Sequence, residues 1–316
     1  MNIAALAGGV GASKLLLGLN RAMDSLQLTI IVNTGDDVVL HGLAISPDLD
    51  IVTYTLAGVV NPQTGWGLCD ETFHTLNQLA LYGRPSWFHL GDRDLATHIH
   101  RTAMLREGAT LSQVAESIAQ AFGVKAKILP MTDQAVPTMI ETEQGRLNFQ
   151  EYLVQERAEP IIRGISFNGI ESACPAPGVI ESLERADGVI ICPSNPLISI
   201  GPILAVPTLR ETLQARRKDV VAVCPIVGGK SLKGPSDRMM SQLGFDVSAL
   251  GVARMYQDVC ATFIIDPADA GESMRIESLG MKVILCPTVM QALEDKERLA
   301  RQVLHLFAGQ AAGVDG

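Results

Sequence analysis

The chain has 316 residues, of which 47% are hydrophobic and only 4% aromatic, and its formal net charge is −9 at pH 7. This length fits one large domain, or a core domain with an elaborate insertion. The acidic balance, without a run of lysines and arginines, excludes nucleic acid as the expected partner. No apolar run is long enough for a membrane helix, and the N-terminus does not read as a signal peptide, so we expect a cytoplasmic protein.

The first predicted elements are a strand, a glycine-rich turn, a helix and a second strand, at residues 1–7, 8–11, 13–19 and 28–32. This order opens a doubly wound parallel sheet. A core of Leu, Ile, Val and Ala suits such a sheet, because its strands are buried on both faces. Helices are predicted next, at residues 48–58, 69–82, 94–107 and 111–122.

The pattern changes in the middle of the chain. Short β-like runs there predict a small inserted antiparallel unit, at residues 126–129, 137–142, 147–154 and 161–166. Alternating strands and helices resume after residue 175, with strands at 188–192, 219–224, 261–265 and 282–286 and helices near 178–186, 206–217, 236–243 and 289–308. We predict an α/β fold with a doubly wound, mainly parallel sheet. Its core should comprise residues 1–60 and 175–310, with 61–174 as an inserted helical and antiparallel β subdomain.

The glycine-rich turn after the first strand is a candidate phosphate site. Gly8, Gly9 and Gly11 let the backbone approach a ligand closely, and Lys14 lies in the helix that follows. The unpaired N–H groups at a helix N-terminus favour an anion. The turn matches neither the G-x-G-x-x-G pattern nor the Walker pattern, so it does not predict a dinucleotide site. A plain tight turn is the alternative.

Asp36 and Asp37 follow the second strand, at the edge where open α/β sheets bind ligands. Paired carboxylates beside a phosphate loop suit Mg²⁺, and we therefore interpret these two as functional. Two more aspartates, Asp48 and Asp50, fall where the next helix begins. Acidic residues are favoured in a first helical turn, so we interpret Asp48 as serving the helix alone.

Residues 88–101 concentrate charge in a chain that is otherwise poor in it. Two aspartates, three histidines and two arginines lie beside the turn at Gly91, just before a predicted helix. His98 and His100 cannot both face one way on a helix, and no third ligand stands at a fitting spacing. We therefore interpret both histidines as helix surface and packing, with Asp94 and His98 able to pair at i,i+4.

Three further loops are candidates for ligand contact. Residues 193–202 follow a strand and present Ser194, Asn195 and Ser199 between prolines, and an asparagine amide reads a purine edge well. A Ser/Asn-capped loop is the alternative. Trp66, between two glycines, either stacks on a flat ligand or anchors a surface loop. The segment 228–235 supplies lysines near a strand end, or is only a basic loop.

Taken together, these motifs resemble the 2-phospho-L-lactate transferase family (CofD/FbiA-like) of coenzyme F420 biosynthesis. The resemblance extends from residue 1 to about 266 and depends on the set AGGVGASK, NTGDD, SPDLD, GWG, LGDRDLATH, PSNPLISIGPIL and GGKSLKGP. It implies a Rossmann-like core, a homodimer and a Mg²⁺-dependent reaction. A phosphorylated three-carbon acid would move from its guanosine diphosphate adduct to the deazaflavin FO, with release of GMP.

The resemblance and the motifs together assign roles to the candidate residues. The phosphates are assigned to Gly8, Gly9, Gly11 and Lys14, the guanosine to Ser194, Asn195 and Ser199, and Mg²⁺ to Asp37 with Asp36. By resemblance, Asp50 and the residue at position 89 contact FO in a pocket that the inserted subdomain contributes. Asp37 and Asp50 are the candidate catalytic residues, and Asp50 is able to accept the proton of the attacking hydroxyl. Family members often have lysine at position 89, where this chain has His89.

Two other functions fit parts of the pattern. A non-catalytic, nucleotide-sugar-binding regulator of the gluconeogenesis-factor type resembles this fold and glycine loop. The SPDLD and LGDRD motifs favour the transferase, because they build an acceptor pocket that a sensor does not need. The other alternative is a dinucleotide oxidoreductase. Its second strand should end in an acidic ribose ligand, whereas this chain has Asn33 there.

Overall fold

A seven-stranded parallel sheet forms the centre of the structure, a computed structural model that describes residues 1–22 and 27–311. The strands are β1 Asn2–Ala7, β2 Gln27–Val32, β3 Val38–Leu40, β4 Leu43–Ile45, β5 Lys127–Pro130, β6 Thr138–Thr142, β7 Gly145–Asn148, β8 Ile162–Phe167, β9 Gly188–Ile191, β10 Val220–Val223, β11 Ile226–Val227, β12 Lys230–Ser231, β13 Thr262–Ile265 and β14 Lys282–Leu285. The α-helices are α1 Gly9–Ala22, α2 Pro47–Leu56, α3 His74–Leu81, α4 Asp94–Arg106, α5 Leu111–Ala121, α6 Val179–Arg185, α7 Ile200–Ala205, α8 Leu209–Ala215, α9 Ser236–Gln242, α10 Ala249–Tyr256, α11 Ser273–Glu277 and α12 Leu293–Ala311.

The order of the strands explains where a ligand site must form. Across the sheet they run β14-β13-β10-β9-β1-β2-β5, and each neighbouring pair is parallel. The chain builds outward from β1 in one direction and later returns to build outward in the other. Loops that leave β1 and β9 therefore diverge and open a crevice at the carboxyl edge of the sheet, the usual ligand site of open α/β folds.

Alternating side chains of the strands feed two separate cores, one on each face of the sheet. Leu6 of β1 points into the core that α6, α7, α8 and α10 cover. Its neighbours Ala5 and Ala7 point into the core that α1, α2, α5 and α12 cover. The result is a three-layer α/β/α arrangement, as predicted, and it fixes the loop after β1 between two packed layers.

Part of the middle segment was assigned to the wrong sheet. The run at residues 126–129 corresponds to β5, which pairs with β2 at the edge of the main sheet and is not part of the antiparallel unit. That unit is the sheet β7-β6-β8. The predicted strand at 147–154 ends at Asn148 and is followed by one turn of π-helix, Glu151–Gln155. The division at residues 61–174 stays a prediction.

The remaining helices and strands agree with the predicted ones within a few residues, except that several short elements were missed. These are the hairpin β3–β4, the hairpin β11–β12, and the helices α7, α10 and α11. α4 packs on β4, and this places the polar face of α4 beside α2. Within the described residues, no helix is long and apolar enough to span a membrane.

Candidate active site

A cavity of about 510 Å³ opens at the crevice between the loops after β1 and β9. Every candidate residue from the sequence except Asp37 lines it: Gly8, Gly9, Gly11, Lys14, Asp36, Asp50, His89, Ser194, Asn195 and Ser199. Residues of the middle segment, including Phe88 and Gln150, form the opposite wall. The topology therefore unites motifs that lie almost 200 residues apart in the chain.

The glycine loop approaches its neighbours too closely for side chains. A Cβ on Gly8 would lie 2.8 Å from both Oδ2 of Asp48 and Cβ of Ser199, and Gly9 has a φ of +69°. A Cβ on Gly11 would collide with the carbonyl oxygen of Pro193. The loop thus presents bare backbone to the cavity, at the start of α1, where the helix favours an anion.

Asn33 holds two carboxylates next to this loop. Its Nδ2 donates to Oδ1 of Asp36 at 3.1 Å and to Oδ2 of Asp48 at 2.9 Å. The Asp48 carboxylate also accepts the backbone N–H of Gly9. Burial raises the pKa of Asp48 to about 6, against these hydrogen bonds, and burial together with the charge of Asp48 raises that of Asp36 well above its ordinary value.

Asp37 does not line the cavity, although it is next to Asp36 in the chain. Its Oδ2 accepts the hydroxyl of Ser46 at 2.7 Å. Burial raises the pKa of Asp37 well above the usual range, with Ser46 and Arg101 opposing the shift. The two adjacent aspartates therefore have different surroundings, and of the two only Asp36 lines the cavity.

Lys14 is the cation of the phosphate end of the cavity. Its Nζ donates to the carbonyl oxygen of Met290 at 3.0 Å. Burial and the nearby Lys233 and Lys296 lower the pKa of Lys14. Lys233 also lines the cavity, and its Nζ donates to the carbonyl oxygen of Thr64 at 2.9 Å. Two lysines therefore line the cavity together with the carboxylates.

A buried ionic cluster joins α2 to α4 on the other side of the cavity. Asp50 of α2 forms an ion pair with Arg101, whose side chain is 1% exposed. His98 lies between Asp50 and Asp94, with its Nε2 3.2 Å from Oδ2 of Asp94. The Tyr54 hydroxyl donates to Asp94 at 2.7 Å. Asp50, Asp94 and His98 bring ligand atoms within 4.8 Å of one another, a set able to hold a metal ion.

The electrostatics of the two aspartates in this cluster differ. Burial raises the pKa of Asp50, although Arg101 and His98 act against the shift. Burial also acts to raise the pKa of Asp94, but the adjacent His98 and the hydrogen bond from Tyr54 outweigh it, and the net pKa is lowered. His98 is buried and not on the helix surface, and it pairs with Asp94 as predicted, but its contact with Asp50 of α2 was not predicted. His100 is exposed, as expected.

The turn before α4 is braced from the preceding loop. Asp92 accepts the hydroxyl of Thr72 at 2.6 Å and the backbone N–H groups at the start of α3, and these bonds lower its pKa. Glu71 accepts the backbone N–H of Arg93 at 2.9 Å. His89 is exposed at the cavity wall, with its ring centroid 6.0 Å from that of Phe73. The braced turn thus presents His89 to the cavity.

The loop after β9 is held by its own polar side chains. Ser194 donates to the carbonyl oxygen of Gly8 at 2.7 Å, which ties this loop to the glycine loop. The Asn195 Oδ1 accepts the backbone N–H of Leu197 at 2.9 Å. Asn195 therefore has the loop-bracing contacts that we gave as the alternative, and its contact with guanosine stays a prediction. Ser199 is buried against Gly8.

Sequence reasoning missed two residues of this site, Asp48 and Arg101. Asp48 was assigned to the helix start alone, and that interpretation was incomplete, because its carboxylate contacts Asn33 and Gly9 and lines the cavity. Arg101 was not singled out. A signal existed in the spacing of Asp94, His98 and Arg101 at i, i+4 and i+7, which puts three polar groups on one helix face.

The fold and the site define a Rossmann-like α/β protein with a cavity at the switch point of its sheet. The comparisons with known proteins are more specific. The family model of the 2-phospho-L-lactate transferase CofD matches residues 3–284. A 2-phospho-L-lactate transferase of Methanosarcina mazei is 39% identical over 95% of this chain and 98% of its own. A phosphoenolpyruvate transferase of Streptomyces griseus is 42% identical over 97% and 98%.

The chain therefore belongs to the 2-phospho-L-lactate transferase family, CofD, and is a phospholactate or phosphoenolpyruvate transferase of coenzyme F420 biosynthesis. This confirms the family and the transferase activity expected from the motifs. The structure is also similar to that of a UPF0052-family protein of Bacillus halodurans, with a TM-score of 0.64 and 16% identity over 96% of this chain and 98% of that one. At that identity the similarity shows the fold alone.

Proposed function

We propose that the protein transfers the phosphorylated three-carbon acid of a guanosine diphosphate adduct to the terminal ribityl hydroxyl of FO. The hydroxyl oxygen forms a bond to the phosphorus that bears the acid. The bond from that phosphorus to the bridging oxygen breaks, and GMP leaves with that oxygen. The hydroxyl proton goes to a protein carboxylate. Such a transfer depends mainly on positioning and on electrostatic stabilisation of the phosphates.

The single observation that best supports this proposal is that one cavity brings an anion site and a buried carboxylate together. The glycine loop and Lys14 form the proposed anion site, and the buried Asp50 lines the same cavity. A diphosphate bound at the loop therefore exposes a phosphorus toward Asp50. We propose that Gly8, Gly9, Gly11 and Lys14 bind the diphosphate, with Ser194, Asn195 and Ser199 at the guanosine end.

We propose Mg²⁺ as the metal, held beside the glycine loop. Support comes from the Asn33 amide, which holds the carboxylates of Asp36 and Asp48 together although burial raises both pKa values and the charge of Asp48 raises that of Asp36 further. A hard cation with one or two carboxylates and phosphate oxygens relieves this repulsion. When bound, Mg²⁺ supplies charge neutralisation to the diphosphate. Asp37 remains a candidate ligand, with Asp36 and Asp48 favoured because both line the cavity.

We propose that FO binds between His89 and Asp50. His89 is presented at the cavity wall by the braced turn, and Asp50 lies deeper. Oδ2 of Asp50 is buried and has no hydrogen-bond partner among the described residues. An acceptor hydroxyl there would satisfy this oxygen and transfer its proton to it during attack. Asp50 is thus the proposed general base, and His89 a contact of the deazaflavin.

The test is a turnover assay with purified protein, Mg²⁺, FO and a guanosine diphosphate adduct. Phospholactate, phosphoenolpyruvate and phosphoglycerate adducts are assayed side by side, because the three acids differ by few atoms. We expect GMP and an acidic deazaflavin to form in equal amounts with at least one adduct. If neither product forms with any of the three adducts, the proposed reaction is wrong.

We also propose a homodimer, as the resemblance implied. Light scattering coupled to size-exclusion chromatography should give twice the chain mass of 33.8 kDa. A single species at the chain mass across the accessible concentration range would contradict this proposal.

A further inference from the structure

The cluster of Asp50, Asp94 and His98 has the composition of a metal site, yet a protein cation already occupies it. Arg101 reaches this cluster from α4 with both terminal nitrogens. Its Nη2 forms the ion pair with Oδ1 of Asp50, and its Nη1 lies 3.1 Å from Nδ1 of His98. Only 1% of the Arg101 side chain is exposed. This buried guanidinium therefore determines which atoms of Asp50 and His98 remain available to other partners.

The contact with Arg101 fixes the tautomer of His98. A guanidinium has only donors, so Nδ1 of His98 must accept from Arg101 and the ring proton must lie on Nε2. Nε2 faces Oδ2 of Asp94 at 3.2 Å. A metal ion would need a lone pair on one of these two nitrogens. Arg101 engages Nδ1, and Nε2 carries the ring proton beside Asp94 without making a hydrogen bond to a described residue, so an ion here would have to displace Arg101 first.

The same contact leaves one oxygen of Asp50 available. Oδ1 is bound to Arg101, and Oδ2 is buried with no hydrogen-bond partner among the described residues. The nearest nitrogen to Oδ2 in an ion-pair contact is Nδ1 of His98, 3.8 Å away, and its lone pair faces Arg101. Asp50 thus lines the cavity with one oxygen held by Arg101 and with its other oxygen buried and without a hydrogen-bond partner among the described residues.

We propose that Arg101 is a positioning residue for the transfer. It is the resident cation of this cluster, in the place that a metal ion would take, and it holds the carboxylate of Asp50 in a fixed position. It acts through Asp50 and does not touch the substrates, and it reserves Oδ2 of Asp50 for the acceptor hydroxyl. Mg²⁺ is thereby directed to the other carboxylates, near the glycine loop. This inference rests on the role proposed above for Asp50.

The test compares Arg101→Met, Arg101→Lys, Asp50→Asn and the Asp50→Asn/Arg101→Met double variant. We expect Arg101→Met to lower kcat about 100-fold, a loss typical of a misplaced general base, with KM for the guanosine adduct unchanged within about twofold. Arg101→Lys keeps the charge but loses the two-pronged contact, and it should recover about tenfold of that loss. The double variant should be no slower than Asp50→Asn, because both changes disable one unit.

The matched control is Arg106→Met, on the same helix. Arg106 is more exposed and donates to the carbonyl oxygen of Gly42, outside the cavity. It should keep full turnover. Arg101→Met leaves a buried carboxylate unpaired, so it is the variant most prone to misfold. Arg101→Lys and the double variant avoid this unpaired charge. They test the positioning role through the partial recovery of kcat in Arg101→Lys and through a kcat of the double variant no lower than that of Asp50→Asn.

Metal binding supplies an independent readout. His98→Asn retains an oxygen to accept from Arg101 but removes the imidazole. The affinity for Mn²⁺ is followed by electron paramagnetic resonance in the absence of substrates. It should remain within about twofold of the parent value, because His98→Asn leaves the proposed metal ligands Asp36 and Asp48 unchanged. A fall of tenfold or more in His98→Asn would overturn the assignment of Arg101 as the resident cation.

The outcomes also separate this inference from the proposed role of Asp50. If Asp50→Asn keeps full turnover, that role fails and the positioning role fails with it. If Asp50→Asn loses turnover but the double variant loses a further independent factor, only the positioning role is wrong. Equal losses in kcat and in affinity for the guanosine adduct in Arg101→Met would likewise contradict it, because Asp50 belongs to the acceptor side.

Discussion

Asp48 lies directly against Gly8, so closely that a Cβ on Gly8 would be 2.8 Å from Oδ2 of Asp48. The two residues come from different motifs of the chain, the loop after β1 and the start of α2. Their contact joins the predicted phosphate loop to the carboxylates. An anion and a buried carboxylate in such proximity require a cation between them, and this requirement is the physical reason for proposing Mg²⁺ here.

Gly8→Ala should weaken binding of the guanosine adduct. The added methyl group must push aside Asp48 or Ser199, and either shift closes the path of the phosphates to the backbone. We expect KM for the adduct to rise about tenfold or more, with KM for FO much less affected, as loss of about 1.4 kcal/mol predicts. Steady-state kinetics with each substrate varied in turn measure both constants.

Gly271→Ala is the control, because a Cβ at Gly271 meets no atom within 4 Å and its φ is ordinary. It should leave both constants unchanged. If Gly8→Ala keeps the parent KM for the adduct, the phosphates do not approach this loop.

The three candidate metal carboxylates should differ in their effect on Mn²⁺ affinity. Asp36→Asn and Asp48→Asn should each weaken Mn²⁺ binding about tenfold or more, because each removes a charged ligand from the cavity wall. Asp37→Asn should weaken it less, because the Asp37 carboxylate faces Ser46. Titration calorimetry gives the three affinities, and Asp258→Asn, in a surface ion pair with Arg210, is the control. A larger loss of Mn²⁺ affinity in Asp37→Asn than in the other two variants would identify Asp37 as the metal ligand and exclude Asp36 and Asp48.

Metal affinity should depend on pH through Asp48. Burial raises the pKa of this carboxylate to about 6, so it is ionised above that pH and protonated below it. Below about pH 6 the affinity for Mn²⁺ should therefore fall by up to about tenfold for each pH unit, because the ion must displace a proton. Asp48→Asn should weaken this dependence on pH, with Asp36 as the remaining buried carboxylate. An affinity independent of pH between about 5 and 7 in the parent protein would exclude Asp48 as a ligand.

The same shift has a consequence for the stability of the metal-free protein. Because the pKa of Asp48 is raised in the folded state, its protonated form contributes to the free energy of unfolding. This contribution is complete below the ordinary pKa of 3.8 and is lost as the pH rises through about 6. At neutral pH the metal-free protein should thus gain a few degrees in Tm from Asp48→Asn. The parent should gain Tm on addition of Mg²⁺, and the variant should gain less. Thermal melts with and without Mg²⁺ measure both effects, and equal gains would contradict the prediction.

His89 should affect the acceptor and not the donor. His89→Ala should raise KM for FO about tenfold, the loss expected for one hydrogen bond, and leave KM for the guanosine adduct unchanged. His89→Lys, which restores the residue often found in the family, should keep kcat within about threefold, because a lysine donates from the same wall. His74→Ala, at the exposed start of α3, is the control. A rise in KM for the adduct alone in His89→Ala would place His89 at the donor instead.

The sequence predicted those parts of the fold and site that depend on local pattern. Gly8, Gly9 and Gly11 stand between a buried strand and a helix, and this order alone identifies a ligand loop at the carboxyl edge of a sheet. The same holds for Ser194 after β9. Strand–helix alternation likewise predicted the doubly wound sheet, because burial on both faces makes its strands distinct in composition.

Long-range pairing was beyond local pattern. The sequence of β5 is short and apolar, like the other predicted strands of the middle segment. Only its pairing with β2 shows that it belongs to the main sheet. Asp48 looks like any first-turn acid until the loop after β1 folds against it. The sequence around His98 offered no third ligand at a fitting spacing, because the third member of the cluster, Asp50, lies on α2. Each miss concerns a contact between elements that the sequence separates.

The most direct test of the account is a crystal structure of the protein with Mn²⁺, GMP and FO, with Mn²⁺ located by its anomalous scattering. The account predicts the GMP phosphate at the loop of Gly8 and Gly9, with Mn²⁺ between that phosphate and the carboxylates of Asp36 and Asp48. It predicts the terminal ribityl hydroxyl of FO at hydrogen-bond distance from Oδ2 of Asp50, and Arg101 still bound to Oδ1. Mn²⁺ bound instead by Asp50, Asp94 and His98, or FO bound outside this cavity, would contradict it.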